Sequence, residues 1–294
     1  MYELNQVGEH TYYIDCPAKI GVYVPAPDSV YLIDSGSDKD AGRRVRKLLD
    51  ERGWHLRAIL NTHSHAGHIG GNRYLQGQTG CAVLANGIEA DFTRHPLLEP
   101  SFLYGGLPPK ALRHKFLMAE DSDAADFSAP CFPRELEILP LSGHSFDMVG
   151  FRTPDNVVFL ADCLSSRATL EKYGVPFLYD VSAHLDTLER VEKLQASCFV
   201  PAHAEATAEI APLARYNREH LLAIAEQLVA LCSVPQSFEQ LLELLFTRYG
   251  LTMNWEQYVL VGSTLRSFLS WLMDAGKLTA VFGGNRMLWQ RLEA

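Results

Sequence analysis

The sequence of 294 residues lacks several features that would place it outside the cytoplasm. It has no CxxC pair, and its six cysteines lie far apart along the chain. The first ten residues carry no basic stretch leading into an apolar one, and no apolar run approaches the ~18 residues of a membrane span. We therefore expect a cytoplasmic protein with reduced thiols and no membrane contact.

The composition shows no bias toward a special class of chain. Hydrophobic residues make up 47% and charged residues 21%, which is typical of a globular protein and excludes a disordered or fibrous one. There is no internal repeat and no low-complexity tract. Because 294 residues exceed the ~100–200 residues of a usual domain, we expect one large domain with a small addition, or two domains.

Positive charge is scarce in the first 210 residues, which hold 19 lysines and arginines against 28 aspartates and glutamates. Residues 211–294 hold seven of each kind, so the net charge of −9 belongs to the first part of the chain. An acidic body repels a polyanion, and the tail shows no continuous basic stripe. We expect a small-molecule substrate rather than nucleic acid, and a tail that packs on the core or forms a homodimer.

Strand-like and helix-like patterns alternate in the first third of the chain, as in TYYIDC, VYLID and the amphipathic segment 37–52. Residues 86–134, with six prolines, predict an irregular insertion that acts as a lid over a site. The last eighty or so residues predict helices followed by a hairpin, which is the order of a winged helix. We therefore divide the chain into a first domain, 1–210, and a helical, winged-helix-like domain, 211–294.

Three histidines cluster in the segment THSHAGH, directly after the apolar run 58–60 that predicts a strand. His63, His65 and His68 are two and three residues apart, and imidazoles at this spacing can converge on one or two divalent cations. With 11 histidines among 294 residues, three within six positions indicate a metal site rather than a polar surface loop.

Three more candidate ligands follow other predicted strands, at His144, Asp162 and His203. Each would be ordinary alone, because a strand-end aspartate usually caps a helix. Their recurrence at strand ends favours a common site, since side chains at one edge of a sheet can be aimed at one point.

Neighbouring polar residues are expected to be structural. Ser182 is predicted to cap a helix over 183–194, which makes His184 a first-turn residue of that helix rather than a substrate contact. Cys163, next to Asp162, is predicted to lie in the core, because consecutive strand residues face opposite sides of a sheet.

Five ordered motifs resemble those of the metallo-β-lactamase superfamily: LIDSG at 32–36, THSHAGH at 62–68, SGHS at 142–145, FLADC at 159–163 and VPAHA at 200–204. The resemblance covers residues ~10–205, about two thirds of the chain. It implies an α+β protein with a four-layer αββα sandwich, a metal site along one edge, and a likeness to glyoxalase II-like metallo-hydrolases.

The resemblance also implies roles for individual residues. Six side chains would bind two metals. The first metal would be bound by His63, His65 and His144, and the second by His68 and His203. Asp162 would bridge the two metals. Asp34 would lie beneath the site and orient a ligand histidine. Asp162 and Asp34 are accordingly the candidate catalytic residues.

Two positions depart from the family pattern HxHxDH. Gly67 stands where the family has an aspartate that ligates the second metal, and Asp147 stands where a glycine is usual. We therefore expect one tightly bound zinc and a second that binds more weakly, with iron and manganese as the alternative metals. Asp147 either compensates for Gly67 or caps a turn.

The pattern favours a metal-dependent hydrolase in which a zinc-activated water attacks a small intracellular ester or thioester. Three alternatives stay open. Two histidines and an aspartate could hold one iron, as in persulfide dioxygenases. The winged-helix-like tail could belong to a member that cleaves RNA or other phosphodiesters, and the loss of an aspartate at Gly67 could leave a degenerate, non-catalytic member.

Overall fold

The computed structural model describes residues 2–292. Its strands are β1 Glu3–Gln6, β2 Thr11–Asp15, β3 Ile20–Ala26, β4 Ser29–Ile33, β5 His55–Leu60, β6 Ala82–Leu84, β7 Ala124–Ala125, β8 Glu137–Pro140, β9 Val149–Arg152, β10 Val157–Ser165, β11 Cys198–His203, β12 Leu278–Gly283 and β13 Arg286–Arg291. Its α-helices are α1 Lys39–Glu51, α2 Ala66–Ile69, α3 Asn72–Thr79, α4 Gly87–Arg94, α5 Leu98–Tyr104, α6 Arg167–Tyr173, α7 Val181–Glu192, α8 Ala211–Leu231, α9 Phe238–Tyr249 and α10 Trp255–Asp274.

The strands build two mixed sheets and a hairpin. The first sheet has the order β1-β2-β3-β4-β5-β6-β7, and the second has the order β11-β10-β9-β8. Strands β4 to β7 pair in parallel, as do β10 and β11, whereas the other neighbours are antiparallel. Strands β12 and β13 form the hairpin, and Trp289 of β13 also makes an antiparallel bridge with Gln236.

Three apolar clusters show how these elements stack. Leu60 of the first sheet and Phe151 of the second share a cluster between the two sheets. The neighbouring residue Ile59 points the other way and packs with Val45 of α1, while the outer face of the second sheet packs with Leu188 of α7. The layers therefore run helix, sheet, sheet, helix, and the predicted αββα sandwich is confirmed.

Parallel pairing brings the carboxyl ends of several strands to one edge of the sandwich. In the first sheet Ile33 pairs with Leu60, so Asp34 and the THSHAGH segment follow β4 and β5 at the same level. In the second sheet β10 and β11 run in parallel, and Ser165 pairs with His203. Polar side chains that follow these strands therefore share one edge.

The sequence predicted that Asp162 lies at the end of its strand, and this prediction is wrong. Strand β10 continues to Ser165, and its pairing with β11 shifts register on both sides of Ala161. Ala161 has a φ of +48°. This value lies in the left-handed region, which is energetically unfavourable for a residue with a Cβ atom. The irregularity turns the backbone immediately before Asp162, as β-bulges beside active sites do.

Residues 86–134 are more regular than the sequence predicted. In place of an irregular segment they contain helices α4 and α5, a 3-10 turn at Lys110–Leu112, and strand β7 at the end of the first sheet. The prolines permit this, because Pro96 lies between the two helices and Pro100 lies in the first turn of α5, where its missing N–H costs no helical hydrogen bond.

The last part of the chain follows the predicted order of helices and then a hairpin. Leu221 of α8 and Trp289 of β13 belong to the same apolar cluster as Leu188 of α7. The Asn217 side chain of α8 also bonds the backbone N–H and C=O of Ser165, both at 2.9 Å. The tail thus packs directly on the body, while the boundary at residue 210 and the winged-helix assignment stay predictions.

Candidate metal centre

Five histidines and one aspartate meet at the shared edge of the two sheets. Metal-ligating atoms of His63, His65 and His144 lie within 4.8 Å of one another, and so do those of His63, His68 and Asp162. His65 Nδ1 is 3.0 Å from His144 Nε2, although 79 residues separate them in sequence. Two triads of potential ligands therefore share His63.

The carboxylate of Asp162 lies at the middle of the cluster. Its Oδ1 is 3.1 Å from Nε2 of His68, and its Oδ2 is 3.3 Å from Nε2 of His203. The same Oδ2 is 3.5 Å from Nε2 of His144 and 3.9 Å from Nε2 of His63. The structure thus brings together all six side chains that the sequence singled out.

The outer ring nitrogen of four histidines is held by a hydrogen-bonding partner. His63 Nδ1 lies 3.0 Å from Thr62 Oγ1, and the Nδ1 atoms of His144 and His203 lie 3.1 and 3.0 Å from the carbonyl oxygens of Phe177 and Pro17. His68 Nδ1 lies 2.8 Å from the Asp34 carboxylate. An Nδ1–H donated outward leaves the Nε2 lone pair of each ring directed inward, as metal-ligating histidines require.

Asp34 occupies the position beneath the site that the sequence assigned to it. Its carboxylate accepts hydrogen bonds from the backbone N–H and the hydroxyl of Thr62, each at 2.8 Å, as well as from His68. The residue is buried and has a φ of +67°. Backbone strain of this kind persists where surrounding contacts over-determine a conformation, as they do here.

The centre suits a divalent cation. His63 Nε2 is buried and makes no hydrogen bond within residues 2–292. A buried polar atom left unpaired costs about 1–3 kcal/mol, and a cation between the two triads would satisfy this nitrogen.

Protonation also matches this ligand set. Burial and the surrounding histidines hold the pKa of His63 well below its usual range, and burial lowers the pKa of His144 to about 4. Burial opposes the charge on Asp162, but His203 and His68 hold its pKa well below the usual range. Burial likewise disfavours charge on His68, yet Asp162 and Asp34 raise its pKa to about 10. A bound cation would displace that proton.

Two buried glutamates beside the centre were missed by the sequence analysis. Glu89 of α4 binds Ser64 and Ser145, which lie within the THSHAGH and SGHS segments. Glu99 of α5 has its carboxylate 3.4 Å from Nε2 of His65. Both belong to residues 86–134, so this segment packs against the segments that carry the candidate ligands. No motif marks either residue.

The two departures from the family pattern have different outcomes. A Cβ atom built on Gly67 would meet no atom within 4 Å, so the space that an aspartate would occupy is open. Asp147 does not fill it, because its carboxylate accepts a hydrogen bond from the backbone N–H of Ile88, at 3.2 Å, near the start of α4. The structure thus shows Asp147 bonded to the start of α4 rather than replacing the carboxylate missing at position 67.

A cavity of about 340 Å³ opens beside the centre. His144, Asp162 and His203 line it together with the end of β10, residues 175–178, His184 and side chains of α6, α8 and α10.

Two predictions about neighbouring residues have opposite outcomes. Cys163 is fully buried in the core, as expected. Ser182 is not the cap of α7, because Asp180 is, with its side chain accepting from the Ala183 N–H at 2.9 Å. His184 is buried and lines the cavity rather than serving only as a helix residue.

An αββα sandwich with histidines and an aspartate at one edge defines a class of metal-binding proteins. The chain belongs to the metallo-beta-lactamase superfamily, whose family model matches residues 14–203. Membership in this family implies that a divalent metal is bound. Of residues 2–292, no helix combines the length and the apolarity needed to cross a bilayer.

Individual relatives narrow the comparison. The chain is 31% identical over 121 residues to a hydroxyacylglutathione hydrolase of Cereibacter sphaeroides, covering 41% of this chain and 38% of that protein. It is 23% identical over 216 residues to a probable metallo-hydrolase of Bacillus subtilis, covering 69% of this chain and 91% of that protein. The chain thus spans well under half the length of the hydroxyacylglutathione hydrolase.

A solved structure extends the likeness to the tail. A metallo-beta-lactamase family protein from Thermus thermophilus superposes with a TM-score of 0.71 and 21% identity, covering 99% of this chain and 98% of that one. The expected fold family and the likeness to glyoxalase II are confirmed, and the relatives named above are hydrolases, in agreement with the expected enzyme class.

Proposed function

We propose that the protein is a metal-dependent hydrolase that activates water toward a small ester or thioester. The observation that carries the proposal is the meeting of five imidazoles and the Asp162 carboxylate at one edge, with His63 Nε2 buried and without a hydrogen bond within residues 2–292. A cation would satisfy this nitrogen, and a cation held by histidines suits hydrolysis.

The ligand atoms divide into two sets. His63 Nε2, His65 Nδ1 and His144 Nε2 would hold a first cation, and Asp162 would link it to a second at the Nε2 atoms of His68 and His203. Zinc in this environment supplies a polarising charge and lowers the pKa of a bound water to about 7. Asp34 positions His68, and the carbonyl of Phe177 positions His144, so that both rings keep their lone pairs inward.

Buried carboxylates around the centre add to the attraction that the neutral histidines have for a doubly charged ion. Asp34 and Glu89 are buried carboxylates that bond to the segments carrying the candidate ligands. Negative charge close to a low-dielectric centre attracts a dication strongly. We infer one tightly bound zinc and a second that binds more weakly, because position 67 offers no carboxylate.

Small-molecule turnover is supported by the cavity and by the relatives' names. A cavity of about 340 Å³ lies at the lower end of the ~300–1,000 Å³ range of small-molecule sites. The relative from Cereibacter sphaeroides is named for a thioester substrate, hydroxyacylglutathione. We infer an intracellular, cytoplasmic thioester or ester as the substrate class.

Metal analysis and hydrolysis of the zinc-loaded protein test this function together. We expect bound zinc and turnover of simple acyl thioesters, and a loss of roughly 100-fold or more in kcat/KM for His144→Ala. His10→Ala is the matched control, because this histidine is half exposed and remote from the cluster. Hydrolysis that survives His144→Ala refutes the proposal, whereas bound iron with oxygen uptake supports the persulfide dioxygenase type instead.

A further inference from the structure

We propose that the cavity beside the metal centre binds an uncharged, apolar acyl chain, so that the substrate is a neutral acyl thioester or ester. This inference rests on the proposed function and adds the chemistry of the substrate to it. It also gives the C-terminal helices a task, since they form part of the binding surface.

The cavity is continuous with the metal centre. His144, Asp162 and His203 line it together with Leu221 of α8 and Leu260 of α10. A carbonyl group placed against the ligand cluster would therefore bring the attached chain into contact with these C-terminal helices.

Apolar side chains form the larger part of the walls, and no lysine or arginine of the described residues lies among them. The apolar lining includes Leu164, Leu170, Val175, Phe177, Leu221 and Leu260. No lysine or arginine of residues 2–292 lines the cavity, and the acid that does, Asp162, belongs to the metal centre. A carboxylate at the end of an acyl chain would lose its hydration here without gaining a partner, which is costly in a buried site.

The polar groups in the walls are neutral. The Asn217 amide is already engaged with the backbone of Ser165 and Leu213. His184 is buried, and its Nδ1 has no hydrogen-bond partner within residues 2–292. A hydroxyl or carbonyl on the chain could bond to neutral wall groups such as Gln257, but a carboxylate meets no lysine or arginine of the described part of the protein there.

A series of acyl thioesters of one small thiol tests the inference on the zinc-loaded protein. Acetyl, butanoyl and hexanoyl thioesters are compared with succinyl and adipoyl thioesters, which have the same carbon counts as the last two but end in a carboxylate. We expect kcat/KM to rise about fourfold per methylene until the cavity is filled. The kcat/KM values of the succinyl and adipoyl thioesters should be on the order of 100-fold below those of the butanoyl and hexanoyl thioesters.

Substitutions in the wall locate the effect. Leu260→Trp should cut the preference for hexanoyl over acetyl about tenfold, because the indole occupies the cavity. Met273→Trp, at an exposed position of the same helix, is the control and should leave it unchanged. Gln257→Lys adds a cation to the lining. It should reduce the ratio of kcat/KM for the hexanoyl thioester to that for the adipoyl thioester about tenfold.

Binding to the metal-free protein separates this inference from the proposed function. Hexanamide should perturb the NMR signals of the cavity residues, adipamate should not, and Leu260→Trp should abolish the perturbation. If hexanamide binds in this way but no thioester is hydrolysed, the proposed function fails and the cavity assignment stands. If acetyl thioester is hydrolysed while hexanoyl and adipoyl thioesters react equally well, the cavity assignment is overturned and the hydrolase stands.

Discussion

Glu89 binds both the backbone N–H and the hydroxyl of Ser64, at 2.9 and 2.6 Å from a single carboxylate oxygen. Its other oxygen accepts from the Ser145 hydroxyl and from the Asp147 N–H. Ser64 lies in the THSHAGH segment and Ser145 in the SGHS segment, so one fully buried carboxylate joins the two loops that carry the proposed ligands of a first cation.

Glu89→Gln should therefore lower the affinity of the first site for its metal, although Glu89 is not itself a ligand. An amide supplies one acceptor oxygen where two are needed, and its NH2 group would face donors, so the loops lose their common anchor. We expect a roughly 10–100-fold loss of zinc affinity, the range usual for partners of metal ligands. Zinc titration followed by calorimetry measures it. Glu9→Gln, at an exposed site, should leave affinity unchanged, and equal losses in both variants would contradict the assignment.

Gly67→Asp should raise the affinity of the second site for its metal. The open space at Gly67 accepts a side chain, and a carboxylate there adds both a bond and a negative charge opposite the dication. Calorimetric titration of wild type should show a tight and a weak zinc, which become more nearly equal in the variant. Gly77→Asp is the control, since position 77 is equally open but lies in α3. Two equally tight metals in wild type would rule out the argument.

Asp34→Asn should lower the affinity of the second metal more than that of the first. Asparagine tolerates the left-handed backbone at this position, so the change removes the charge that holds His68 without adding strain. We expect a roughly 10–100-fold loss at the second site, measured by the same titration. Comparable losses at both sites would show that Asp34 acts on the fold as a whole.

The protein should not bind duplex DNA measurably at physiological salt. Residues 211–294 carry seven positive and seven negative charges beside an acidic body, so few phosphate contacts are available. Fluorescence anisotropy with a labelled duplex at two salt concentrations provides the measurement. Tight binding that weakens steeply with salt would instead support the nucleic-acid hypothesis.

The sequence predicted the ligand cluster well because spacing and strand ends are local properties. His63, His65 and His68 are close in the chain, and His144 and His203 each follow a recognisable strand. Asp162 was placed correctly in the cluster but not in its strand, because the bulge at Ala161 depends on pairing with β11 rather than on local pattern.

The supporting groups could not be predicted in the same way. Glu89 lies 25 residues from Ser64 and 56 from Ser145, on a short helix whose glutamate reads as an exposed first-turn acid. Its burial arises only when α4 packs against both loops. The helices of residues 86–134 were missed for a related reason, since prolines at helix starts look like breaks when the partner surface is unknown.

The division of the cavity wall between the two parts of the chain has an evolutionary consequence. All candidate metal ligands precede residue 204, whereas Leu221, Gln257 and Leu260, which also line the cavity, follow residue 210. Mutations that accumulate in the last helices can change which molecules are accepted while the reacting centre stays intact. Relatives that share the first two hundred residues could in this way acquire new substrates by remodelling or exchanging their C-terminal segment alone.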